Sequence, residues 1–275
     1  MALDGHVDVV VVGFGVAGAA AALAAAHAGA RVLVLDGAPL AEPWLHAPRA
    51  VRAAVLLRSG LRAAVREAGV DIRAQHRAHE LVVAAGEVCG LGYAALPRRS
   101  AATVGHRWLH GLGKVAPALG RAADAVWAAR FDVGELACSS VVLAVDARHW
   151  EFVGPATWTA ARGRLGEEHE TPKRARWAER DAGADTPELA VRRWCADRDT
   201  VPVTRQPALA VDEETGAVLM GGRPAVPGLY AAHAPHRADA APPDAHAVMA
   251  AGRRAALSAV SEIDARHGPG IRAVG

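Results

Sequence analysis

The apolar positions of this chain fall into short continuous runs separated by longer stretches rich in small residues. Residues 7–12 (VDVVVV) are apolar at every position but Asp8, residues 30–35 (ARVLVL) differ only by one Arg, and residues 140–145 (SVVLAV) form a third run. Runs this short and unbroken mark strands buried on both faces of a parallel sheet, where no position faces water. Residues 13–29, between the first two runs, are dominated by alanine and predict a helix. Strand, helix and strand within about thirty residues make a βαβ unit, whose crossover is right-handed.

Helical spacing over residues 50–67, stopped by Gly69, predicts a second helix, and residues 70–73 a short strand. Residues 80–84 and 87–91 read as a hairpin around Ala85-Gly86. Residues 104–129 are helical in pattern, divided by Gly111, Gly113 and Pro117. Over residues 155–205 charge dominates and long apolar runs vanish, which predicts a surface flap with helical pieces at 173–181 and 187–196. Strand character returns at 208–211, 217–220 and 229–232, and a Pro-rich loop leads into a final helix over 245–266. The expectation is one α/β domain over residues 1–275, with 155–205 as an insertion.

Composition narrows the function classes. Lys+Arg 31 against Asp+Glu 29 gives a net charge of +2, and no block carries a single sign. Neither nucleic acid nor an acidic membrane is an expected partner. Lys114 and Lys173 are the only lysines and there is no Asn, a sign of coding bias that makes Ala and Arg weak witnesses of helix propensity. Cys89, Cys138 and Cys195 stand far apart in no metal or redox spacing, and no leader pattern opens the chain, so a reduced, cytoplasmic protein is expected. The longest apolar stretch, residues 16–30, holds His27 and two glycines and reads as a crossover helix, not a membrane span.

Gly13-Phe14-Gly15-Val16-Ala17-Gly18 spells GxGxxG directly after the first strand and at the opening of the helix. In that setting the first glycine permits a tight turn, the second lets backbone approach a pyrophosphate, and the third lets the helix pack closely on the sheet. Backbone N–H groups at the helix start then face the phosphates. Asp36, followed by Gly37, closes the second strand, where a carboxylate accepts ribose hydroxyls.

The stretch VDVVVVGFGVAGAAAALAAAHAGARVLVLD resembles the FAD-binding start of the fumarate reductase and 3-ketosteroid dehydrogenase flavoproteins. GVDIRAQHRAHELVVAAGEVCGL is similar to their next strand and β-meander, and SSVVLAVDARHW stands where they carry a strand ending in an ATGG-like turn. ETGAVLMGGRPAVPGLYAAHAP resembles their segment ending in PGLYAAGE, and AVMAAGRRAAL resembles their terminal helix. The resemblance implies a Rossmann-like FAD-binding domain with a central parallel sheet and a β-meander. It implies FAD contacts from Gly13, Gly15, Val16, Ala17, Gly18, Asp36, Gly37, Val88, Ala144 and His246. The chain departs from the pattern at Ala144-Val145-Asp146-Ala147, which replaces the ATGG turn, and at His233-Ala234, which replaces Gly-Glu. Residues 155–205 leave a small, reduced flap in place of a cap domain.

Titratable side chains gather in two places. The loop before the last helix carries His233, His236, Asp239, Asp244 and His246; by resemblance it lies beside the flavin, and His233 or His236 would be the general acid or base. Asp146 and His149 follow the third apolar run at its carboxyl end, the ligand side of an open α/β sheet. The competing role for the loop is a solvated polar surface, with Asp244 as a helix cap, and its irregular spacing predicts no metal site. His106 and His110 share a helix face without the HExxH pattern and are expected on the surface. Trp44, Trp108, Trp150, Trp158, Trp177 and Trp194 stand outside the expected strands, either lining a pocket for a bulky apolar substrate or filling space between flap and sheet. The leading expectation is an FAD-dependent oxidoreductase acting on an apolar small molecule of the secondary-metabolism kind. The alternative is a non-redox cyclase or isomerase with FAD structural or absent. A homo-oligomer or partner subunit covering the face left by the missing cap is a further expectation.

Overall fold

In the computed structural model of the protein, residues 6–39, 49–113, 116–129, 131–145, 158–160, 210–219, 226–232 and 244–267 are described. Two successive crossovers build one half of the sheet: β1 (Val7–Val12), α1 (Val16–His27), β2 (Val32–Asp36), α2 (Arg49–Glu67) and β3 (Asp71–Ala74). β1 pairs in parallel with β2, and β2 with β3. On the other side of β1 lies β6 (Asp132–Leu143), parallel to it from Cys138 to Leu143, and β10 (Leu229–Ala231) pairs in parallel with β6. All residues of β1 and β2 are buried, as their unbroken apolar runs predict. The polar exception, Asp8, accepts the Arg31 backbone N–H at 2.7 Å, so its burial leaves a carboxylate oxygen satisfied.

Alternation along these strands sorts the core into two layers. Val9, Val11, Val32, Val34, Val142 and Tyr230 join the cluster that holds α1, Val65 of α2 and the last helix, α5 (Ala245–His267). Val10, Val12, Leu33, Leu35, Val141 and Leu143 join the cluster of the antiparallel strands β4 (His76–Ala84) and β5 (Glu87–Ala95). The fold is therefore a mixed α/β, Rossmann-like arrangement: helices on one face of a mostly parallel sheet and a β-meander on the other. The alanines of α1 and α5 let the two helices approach closely. A Cβ on Gly252 of α5 would lie 2.2 Å from the Ala17 carbonyl oxygen.

Several elements differ from the sequence pattern. β6 begins at Asp132, well before the apolar run, because its first half pairs antiparallel with β5 from Gly90–Ala137 to Ala95–Asp132 and alternates in burial. β4 begins at His76 and not at residue 80. One residue separates it from β3: Gln75, at φ 57°, a left-handed conformation that turns the chain out of the parallel sheet. The expected break in residues 104–129 divides α3 (Ala101–Gly113) from α4 (Pro117–Ala129), and a Cβ on Gly113 would stand 2.7 Å from the Gly120 Cα. Trp158, expected outside the strands, opens β7 (Trp158–Ala160), which pairs in parallel with β4. The rest of the expected flap lies outside the described residues. β8 (Ala210–Val211) and β9 (Val218–Leu219) pair as a short antiparallel hairpin. Among the described residues no helix is long and apolar enough to cross a membrane.

His106 also corrects the expectation of a surface side chain, being 1% exposed. The Trp127 indole N–H donates to its Nε2 at 3.1 Å, and the Gln75 amide, which also donates to the Thr103 carbonyl, lies 2.9 Å from its Nδ1. A proton on Nε2 would confront the indole N–H. Burial, reinforced by Arg77, holds the His106 pKa down to about 4, and burial does the same for His79. Both histidines bind a proton near pH 6.5 once unfolded, so the unfolded chain takes up more protons between about pH 6.5 and pH 4. Stability is fully present above that window and declines as pH falls through it. At pH 5 the loss should be about 2 kcal/mol for His79 and a similar or smaller amount for His106. Urea denaturation at pH 7 and pH 5 measures it, and equal stabilities would contradict these environments.

Candidate functional site

β1, β2 and β6 end at one edge of the sheet, and the segment 13–18 crosses that edge. The Gly13 N–H donates to the Leu35 carbonyl at 2.7 Å, and the Ala144 N–H donates to the Val12 carbonyl at 2.8 Å. Gly13 takes φ 99°, and a Cβ there would lie 2.8 Å from both the Ala144 carbonyl oxygen and Val145 Cγ1. Only glycine fits this turn. On Gly18 a Cβ would lie 2.0 Å from the Gly13 carbonyl oxygen, whereas on Gly15 it would meet nothing within 4 Å among the described residues. The first and third glycines thus close the loop onto the sheet and the helix, and the second leaves an open cradle.

Gly15 is also the N-cap of α1; among the described residues no side chain caps the helix, and no acid stands in its first turn. The backbone N–H groups that start an α-helix lack partners within it and attract anions. With the cradle at Gly15 beside them, Val16 and Ala17 can present backbone donors to a pyrophosphate.

Asp36 ends β2 at the same edge and is 8% exposed. Its Oδ1 accepts the Ala38 N–H at 3.3 Å and its Oδ2 accepts Arg62 Nη2 at 3.0 Å. Burial pushes the carboxyl above its usual range, and the Arg62 guanidinium pulls in the opposite direction. Gly37, next along, faces Arg77 of β4, whose Cγ would lie 3.1 Å from a Cβ at that position. Arg77 in turn pairs with Asp124 at 2.7 Å and stacks 4.5 Å from the Trp127 ring centroid.

The remaining expected residues divide. Ala144 belongs to the loop, with its Cβ 3.1 Å from the position of a Cβ on Gly18. His246 is exposed in the first turn of α5, and Asp244 caps that helix, accepting the Ala247 N–H at 2.6 Å. Val88 is not brought to the loop. It lies under the start of β10, its N–H bonded to the Pro227 carbonyl and its Cβ 3.0 Å from where a Gly228 Cβ would stand. The Ser139 carbonyl oxygen borders the same spot, and Ser139 precedes the level of Val9 in the sheet, towards the edge opposite Gly13. Asp146, His149, His233 and His236 lie outside the described residues. Arg62, which bonds both the Phe14 carbonyl and Asp36, is the residue at this edge that the sequence pattern missed. Its signal is the recurrence of arginine at 58, 62 and 66, a stripe beside the buried Val65.

No family model and no curated protein matches the chain. Solved structures do. THI4 of Thermovibrio ammonificans is 13% identical, with 94% of this chain and 90% of that one covered and a TM-score of 0.44. A thioredoxin reductase from Gloeobacter violaceus is 14% identical over 95% and 96%, with a TM-score of 0.41. The myxobacterial chondrochloren halogenase CndH, described as an FAD-dependent halogenase, is 14% identical over 52% of this chain and 38% of its own, with a TM-score of 0.32. The chain also spans only 39% of P. aeruginosa PqsL and 33% of AlpK. At these scores the likenesses carry no inference about activity.

Gly18 and Gly15 should separate by experiment. Gly18→Ala must displace the Gly13 carbonyl and should cost about 2–3 kcal/mol of stability. Gly15→Ala, in open space at φ −75°, should change stability by less than about 0.5 kcal/mol. Chemical denaturation of the two variants measures the difference, and equal effects would contradict the loop geometry.

Proposed function

We propose that the chain binds FAD by its ADP half and is an FAD-dependent oxidoreductase-like protein acting on an apolar small molecule. The observation that carries the proposal is the open cradle at Gly15, set between two glycines that pack too tightly for any side chain. The donor set suits the group: backbone N–H groups of Val16 and Ala17 for the pyrophosphate, and the Asp36 carboxylate for the adenosine ribose. Bound flavin supplies hydride acceptance and donation. The protein's part is to hold the ADP end at the carboxyl edge of β1 and β2, leaving the flavin end to the segments that follow β6 and β10. His233 or His236 would move a proton there, with Asp146 and His149 as the alternative pair. A resemblance to the fumarate reductase and ketosteroid dehydrogenase flavoproteins supports this order of segments, and a substrate from secondary metabolism suits the apolar, Trp-rich composition.

One observation favours a second proposal, a cyclase or isomerase in which FAD is structural or absent. By sequence, Asp146 and Ala147 stand where the resembling flavoproteins carry the two glycines of the ATGG turn. A side chain at either position would take space that a bare backbone would leave to the cofactor.

The visible absorption spectrum of the purified chain tests the first proposal. Oxidised flavin bands, bleached by dithionite and restored by air, are expected with wild-type protein supplied with FAD. Gly15→Val should fold, as its circular dichroism can establish, yet take up no FAD. A chain that stays colourless in excess FAD would overturn the proposal, and a bound flavin that no reductant bleaches would favour the second.

A further inference from the structure

Arg62 holds two parts of the candidate site at once. From the C-terminal half of α2 its Nε and Nη2 both donate to the Phe14 carbonyl, at 2.9 and 2.6 Å, and Nη2 also donates to Asp36 Oδ2 at 3.0 Å. The guanidinium lies over the Phe14 ring, 4.7 Å from its centroid. The pair is nearly sealed from water, with side-chain exposures of 7% for Arg62 and 11% for Asp36. Phe14 stands between the first two glycines of the loop, and Asp36 is the acid that closes β2. A single cation therefore ties the phosphate-facing backbone to the ribose-facing carboxylate.

Burial penalises a charged carboxylate, so one without a cation takes up a proton. At Asp36 the cations whose fields oppose that are Arg62 and, one turn earlier on α2, Arg58. On the β4 side Arg77 lies against Gly37, its charge paired with Asp124. The protonated acid is a donor with less acceptor capacity, and a ribose diol needs acceptors.

We infer that Arg62 is a positioning residue for the adenosine end of a bound dinucleotide: it keeps Asp36 ionised and aimed at the ribose, and it fixes the Phe14 backbone so that the cradle at Gly15 keeps its shape. The inference rests on the FAD site proposed above. Arg62 acts through Phe14 and Asp36 and needs no contact with the ligand.

Equilibrium FAD binding, followed by quenching of flavin fluorescence from about pH 6 to about pH 9, tests it on the wild-type chain, Arg62→Met and Arg62→Lys. Wild-type affinity should change less with pH than that of Arg62→Met. Arg62→Met should bind roughly tenfold more weakly at the acid end and recover towards the wild-type value as pH rises and Asp36 ionises. Arg62→Lys keeps a cation but loses the forked bond to Phe14, so it should bind more weakly with a flat profile. Wild-type affinity in Arg62→Met, or a loss of equal factor at every pH, would overturn the inference. Should Arg62→Met fail to fold, Arg62→Lys decides: weaker, flat binding supports the inference, and wild-type affinity or a new pH dependence overturns it. A wild-type chain that binds no FAD removes the site itself, which distinguishes that failure from a failure of Arg62 alone.

Discussion

The close approach of the Gly13 carbonyl to the Cα of Gly18 is the constraint on which the rest of the structure depends. With the oxygen 2.0 Å from where a side chain on residue 18 would begin, the loop can fold back on the first turn of α1 only if that residue has none. The turn at Gly13 then sits on Ala144, so β1, α1 and β6 meet at one point. The same device recurs outward from that point. Ala17 receives Gly252 of α5, and Gly216 lies beneath Ala255, whose Cβ would be 3.0 Å from a Cβ there. Alanine and glycine thus form a continuous path of short contacts from the loop to the last helix. What looks in the composition like coding bias is, along this path, a packing requirement.

That path also explains the division of labour between backbone and side chains. Close packing brings the main-chain N–H groups of the first turn of α1 to the sheet edge, where they lack partners within the helix, a surface suited to an anion. The charged side chains are then free for a different task. Arg62 and Asp36 form a buried pair between helix and sheet, and a buried pair adds little net stability even though breaking it is costly. Its value lies in geometry, since it fixes α2, the loop and the end of β2 relative to one another.

Much of this was legible in the chain, for identifiable reasons. β1 and β2 are buried on both faces, so every position carries the signal, and GxGxxG between them states its own context. β6 was half legible: its parallel end is a continuous apolar run, while its first half, Asp132 to Ala137, alternates against β5 and has no apolar run of its own. His106 was misplaced because nothing local distinguishes a histidine on the surface from one held by Trp127, 21 residues away in the chain. Arg62 was hidden by its own abundance, one arginine among many on an amphipathic helix. Val88 followed from resemblance alone, and the register of β5 carries it away from the loop.

The central claim is that the edge formed by Gly13 to Gly18 and Asp36 receives the ADP half of a dinucleotide. The most direct measurement is the two-dimensional amide NMR spectrum of isotope-labelled protein titrated with FAD and, separately, with FMN, which lacks the adenosine end. FAD should shift the amides of Gly15, Val16, Ala17 and Gly18 together with those of Gly37 and Ala38, and FMN should leave Gly37 and Ala38 in place. Saturating FAD that moves none of these amides, or FMN that moves Gly37 and Ala38 as far as FAD does, would contradict the assignment.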